Sequence, residues 1–172
     1  MTTSITHLNS VNIEAVGALA TAIQAEPTKG DTTWKASVAW DGGFRTTTSI
    51  RDFANFATDE PEALGGTDTA PNPVEQLIGA LGSCLAIGYA ANATVAGIRI
   101  DDLRIDVEGD LNLEAFLGIK PGNAGYETLR AKVHITTDAD DAAVAELHRK
   151  VVATSPVGHS VSRAVPLTVE LA

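Results

Sequence analysis

The sequence predicts an α+β chain, and three observations carry that prediction. Gln76 to Ile98 is a long uncharged stretch rich in Ala and Gly, the composition of a closely packed helix. On both sides of it apolar residues alternate with polar ones, the signature of half-buried strands. At 172 residues the chain is most simply one domain, large enough to bury its own core.

Taken in order, Asn9 and Ser10 are expected to cap a helix running to about Ala25, where Pro27 and Gly30 end it. Val11, Val16, Leu19 and Ile23 recur at helical spacing, which predicts one packed face. Trp34, Ala36, Val38 and Trp40 then alternate with polar residues, and Asp41-Gly42-Gly43 signals a hairpin turn. Phe44 to Arg51 reads as the returning strand and Phe53 to Asp59 as a third, making an antiparallel meander. Pro61 to Pro73 is a loop of turn formers. Pro73 suits the first turn of the central helix, with Asn72 as cap and Glu75 favoured by the positive helix end. Gly97 ends that helix. Leu103 to Leu113 and Leu129 to Thr137 are the next two strands, and Asp138 to Ala153 is a helix with His148, Arg149 and Lys150 near its end. Val165 to Leu171 closes as a strand.

Composition narrows the function. Twenty-two acidic against 12 basic residues leave a formal net charge of −10, which repels phosphate backbones and anionic lipid, so no nucleic-acid or membrane partner is expected. One cysteine excludes an intrachain disulfide. The N-terminus lacks the basic and apolar regions of a signal peptide, so a reducing cytoplasm is expected. Gln76 to Ile98 is about as long as a membrane span, yet it carries Gln76, Ser83, Asn92 and Thr94 and no basic residue flanks its start. It is read as a helix buried on most of its faces. His7, His134 and His148 have no metal-ligand spacing with each other or with Cys84, so neither a metal nor a cofactor is predicted. A phosphate-loop pattern and a GxSxG nucleophile elbow are both absent.

The lone thiol, Cys84, sits in Leu81-Gly82-Ser83-Cys84-Leu85-Ala86 and is either inert filling or the reactive atom. Its run, together with Leu64-Gly65-Gly66 and Pro71-Asn72-Pro73-Val74-Glu75, resembles the OsmC/Ohr family of osmotically induced and organic hydroperoxide resistance proteins. Asp106-Val107-Glu108-Gly109-Asp110, Phe116-Leu117-Gly118, Ser155-Pro156-Val157 and Val165-Pro166-Leu167 follow in the same order. The resemblance runs from about Trp34 to the end. It divides the chain into a helical extension, residues 1–33, and an OsmC-like domain, residues 34–172.

That resemblance implies curved antiparallel sheets wrapped around long central helices in an intertwined homodimer. Small residues at Gly79, Ala80, Gly82, Ser83 and Ala86 would let those helices approach closely. It implies a helix cysteine that attacks a peroxide, an arginine from the N-terminal strands that stabilises the thiolate, and a glutamate that holds the arginine. By resemblance these are Cys84, Arg45 (Arg51 as its substitute) and Glu75; otherwise the arginines are solvated strand charges and Glu75 serves the helix dipole. Phe44 and Phe53 would wall a bulky substrate, unless they are core.

Two departures mark a divergent branch. The family's second cysteine, expected just before Pro156, is Ser155, which can end a helix or hydrogen-bond the thiolate or a substrate oxygen. Glu75 lies nine residues before Cys84 where ten is usual, and one residue is about 100° around a helix. The implied activity is a thiol peroxidase for organic hydroperoxides that uses an external thiol as reductant. The alternatives are an enzyme using Cys84 as nucleophile on a sulfur-containing or acyl metabolite, or a non-catalytic dimer that binds a small apolar ligand.

Overall fold

The computed structural model describes residues 7–171. Glu14–Leu77 forms one compact unit; the N-terminal segment through Ile13 and everything from Ile78 onward form the other.

The first unit holds helix α1 (Ile13–Ala25) and a three-stranded antiparallel meander of β1 (Ser37–Gly42), β2 (Arg45–Ser49) and β3 (Phe56–Thr58), in that order. The predicted hairpin forms: Gly42 and Gly43 take positive φ values of 98° and 61°, Gly42 pairs with Arg45, and Trp40 Nε1 donates to Gly43 O at 2.9 Å. Two expectations are corrected. The third strand is shorter than predicted, because Arg51 turns left-handed (φ 49°) and Phe53 N donates back to Ile50 O, holding that stretch as a turn. Helix α1 begins at Ile13 rather than directly after Asn9 and Ser10. Those two residues have φ of 52° and 57°, a left-handed conformation that no right-handed helix continues. Its predicted apolar face is not packed either, for none of its residues is buried and Val16 and Leu19 are exposed.

After β3, Asp59 organises the loop. Its buried carboxylate accepts from Glu60 N at Oδ1 and, at Oδ2, from Thr67 N, Thr67 Oγ1, Thr69 N and Thr69 Oγ1 at 2.6 to 3.2 Å. These donors, the Thr67 hydroxyl foremost, hold its pKa far below the usual carboxylate range despite burial. Gly66 is enclosed in this turn: a Cβ there would meet Glu60 O at 1.8 Å.

The second unit is built on helix α2 (Pro73–Val95), which starts in the first. Leu81, Leu85, Tyr89 and Ala93 form its buried stripe. They cluster with Ile98 and with Leu147 and Val151 of α4 (Asp141–Thr154). An antiparallel pair, β4 (Ile100–Leu111) and β5 (Tyr126–Thr137), packs Leu103, Ile105, Val107, Leu129, Val133 and Ile135 onto that cluster. A short helix, α3 (Leu113–Phe116), capped by Asn112, follows β4, and α5 (Pro156–Ser162) follows α4. Gly82 and Gly88 serve this packing, since a Cβ at either would meet Val107 at 3.3 Å or Val151 at 3.0 Å, whereas Gly79 has open space. Gly97, φ 72°, ends α2 as predicted, with Ile98 N donating to Ala93 O.

Helix α2 is long and apolar enough to cross a membrane by length and composition, but its buried stripe is part of this core. The expectation of burial on most faces is not met within one chain. Leu77, Ile87 and Val95 are exposed, Ile87 by 70%. Helix α4 ends at Thr154, one residue past its predicted end, and Arg149 and Lys150 near that end pair with Glu146. Finally, Val165 to Leu171 is not a strand: residues 164–171 are neither helix nor strand, and Leu167 and Val169 are about 85% exposed. Their alternation persists, but among the described residues no strand pairs with it.

Candidate functional site

Cys84 lies on α2 beside the buried stripe, partly exposed. Its Sγ is 3.3 Å from Ser155 Oγ. Ser155 is buried, 5% exposed, at the junction where α4 ends and α5 begins. It is the N-cap of α5, its Oγ accepting from Gly158 N at 3.1 Å, and Pro156 occupies the first turn. With one lone pair so engaged, the hydroxyl proton is free to point at sulfur. Ser155 and Cys84 are both predicted site residues, and the fold brings them together from positions 71 apart in sequence.

The others are arranged as follows. Glu75 is in the first turn of α2 and forms a reciprocal capping box: Glu75 N donates to Asn72 Oδ1 and Asn72 N donates to Glu75 Oε2, both at 2.9 Å. Nine residues at about 100° each put Glu75 and Cys84 about half a turn apart around α2. Arg45 opens β2 and is exposed. Arg51 is exposed too, its guanidinium carbon 4.5 Å from the centre of the Phe53 ring, and it helps to line a surface cavity of about 600 Å³ with Trp34, Lys35 and Ile50. Among the described residues, neither arginine enters an ion pair. Phe44 is half exposed and lies over Gly65, where a Cβ would meet its ring at 3.1 Å.

Three groups escaped the sequence reading. His148, read as serving a helix end, is hydrogen-bonded through Nδ1 to the buried hydroxyl of Tyr89, whose pKa burial pushes up. The only hint is a tyrosine on an apolar stripe, which needs a partner. Asn9 is no helix cap. Its amide donates to Thr94 Oγ1 and Ile98 O and accepts from Ile100 N, pinning the segment before α1 to the α2–β4 junction. Helix α5 was legible in Ser155-Pro156, a cap followed by proline. Among the described residues no cluster of His, Cys, Asp or Glu could hold a metal ion.

The OsmC-like protein family model matches residues 66–170, and the chain belongs to that family. No curated protein sequence matches it. Among solved structures it is similar to an OsmC-like protein from Mycoplasma pneumoniae, with TM-score 0.66 and 16% identity over 77% of this chain and 89% of that one. An organic hydroperoxide resistance protein OsmC from Legionella pneumophila gives 0.59 and 20% over 76% and 89%. An organic hydroperoxide resistance protein from Elizabethkingia anophelis gives 0.56 and 16% over 76% and 89%. At these identities the likeness establishes the α+β fold.

Proposed function

We propose that the protein is a one-cysteine thiol peroxidase that reduces organic hydroperoxides, with an external thiol as reductant. The observation that carries this reading is the 3.3 Å contact of Cys84 Sγ with the hydroxyl of Ser155. With one lone pair accepting from Gly158 N, the buried Ser155 hydroxyl still has its proton to offer a thiolate, the nucleophilic form. The thiolate attacks the terminal oxygen of the hydroperoxide: an S–O bond forms, the O–O bond breaks, and the alkoxide takes a proton to leave as the alcohol. Sulfur is oxidised by two electrons to the sulfenic acid. Serine cannot condense with it, so an external thiol attacks sulfur and releases water, and a second thiol frees Cys84 as the reductant's disulfide forms.

In this reading Arg45 supplies the cation for thiolate and leaving oxygen, with Arg51 as the substitute, and Glu75 holds it; Phe44 and Phe53 wall the substrate. The active form is a homodimer. Support comes from the exposed side of α2 and the exposed alternating residues Val165, Leu167, Val169 and Leu171, apolar surface that a second copy would bury.

The test is stopped-flow oxidation of reduced protein by cumene hydroperoxide and by hydrogen peroxide, with intact mass of the product. A fast, organic-selective single-oxygen adduct that is lost in Cys84→Ala is the expected result. Oxidation no faster than that of a free thiol overturns the reading in favour of nucleophilic chemistry on a sulfur-containing or acyl metabolite.

A further inference from the structure

Ser155 does two things with one oxygen, and their coupling has a consequence. Its Oγ caps α5 through Gly158 N and lies 3.3 Å from Cys84 Sγ. The surroundings are closely packed: a Cβ on Gly158 would come within 2.9 Å of that oxygen and 3.1 Å of the Ser155 Cβ. Val157 and Val161 tie α5 to the core, and the exposed C-terminal segment leaves from its end.

Resting on the peroxidase reading, we propose that the Ser155 cap is a redox latch: oxidation of Cys84 releases the first turn of α5 and opens the oxidised sulfur to the external thiol. In the reduced protein the Ser155 oxygen lies against the Cys84 sulfur and accepts from Gly158 N at the same time. Transfer of one oxygen from a hydroperoxide to sulfur, with loss of the alcohol, turns that acceptor into a sulfenic acid. An oxygen added on the Ser155 side does not fit in a 3.3 Å gap already filled by two atoms in contact. To make room for it Ser155 turns away from sulfur, and its hold on Gly158 N, the α5 cap, is weakened. A chain without a second cysteine needs such access, because its sulfenic acid is resolved only from outside.

Hydrogen exchange of the full-length protein tests the latch. After stoichiometric cumene hydroperoxide, with the single-oxygen adduct verified by intact mass, amides from Val157 to Val161 are expected to exchange about fivefold faster, the effect of losing a side-chain cap. Ser155→Ala should show the faster rate already when reduced and not respond to oxidation, Ser155→Thr should restore the response, and peroxide-treated Cys84→Ala should not change. Unaltered exchange in the oxygen adduct overturns the latch. If no adduct forms, the peroxidase reading has failed, and the latch is tested separately with methyl methanethiosulfonate, in which the thiolate displaces methanesulfinate to form a methyl disulfide. Faster exchange on that modification sustains the latch; none overturns it.

Discussion

At the scale of single residues the informative position is Ser155. Its oxygen stands 3.3 Å from Cys84 Sγ, so a thiol there is within reach of a disulfide after a small rotamer change. Ser155→Cys is therefore expected to lose two hydrogens in intact mass after one equivalent of hydroperoxide and to become reducible by a dithiol. A stable single-oxygen adduct instead would show that the two side chains do not meet in solution. Glu75 presents a second choice, since its carboxylate already caps α2 through Asn72 N. Glu75→Gln keeps an acceptor and loses only the charge. If the charge holds an arginine, peroxide reduction falls at least tenfold with the melting temperature almost unchanged; a structural cap alone predicts unchanged kinetics, and Asn72→Ala then costs about 1 kcal/mol of stability. For Asp59 the sign follows from its depressed pKa. Its hydrogen bonds contribute stability above the unfolded value of about 3.9 and that contribution is lost as pH falls through the lower folded value. Thermal melts between pH 7 and pH 2 should show Asp59→Asn destabilised at neutral pH, with the difference from the parent narrowing in acid.

At the scale of elements, close approach is the theme. Gly109 on β4 faces Leu129 and Tyr126 across the strand pair, and a Cβ there would lie 2.6 Å from both. Gly109→Ala should cost about 1–3 kcal/mol by overpacking. In α4, Leu147 is 2% exposed, and Leu147→Ala should cost about 2–5 kcal/mol, read by denaturant unfolding. Helix α2 was recognisable from composition, because uncharged Ala- and Gly-rich sequence packs closely. Its two ends were readable from Asn72-Pro73 and Gly97, since caps are local chemistry. The missed α5 and the false C-terminal strand have separate causes. Seven residues carry little periodicity, and an alternating run specifies a strand only when something pairs with it.

At the scale of the whole molecule, the exposed apolar residues set the expectation. Ile87 on α2 and Leu167 and Val169 in the C-terminal segment lie open in one chain. Sedimentation should therefore find a dimer, and Ile87→Asp or removal of residues 164–172 should shift it toward monomer. A fully monomeric parent protein at micromolar concentration would exclude the homodimer.

The sequence alone determined the α+β class, the meander and its hairpin at Gly42-Gly43, both ends of α2, the strand pair and α4 that follow it, and the family motif around Cys84, because each depends on neighbours a few residues apart. Only the tertiary structure decided that Ser155 meets Cys84, that His148 serves Tyr89, that Asn9 anchors the α2–β4 junction and that Asp59 gathers two threonines. Those pairings join positions far apart or on different elements, and no local pattern encodes which side chain a buried polar atom will find. Folding chooses the partner by excluding water from both.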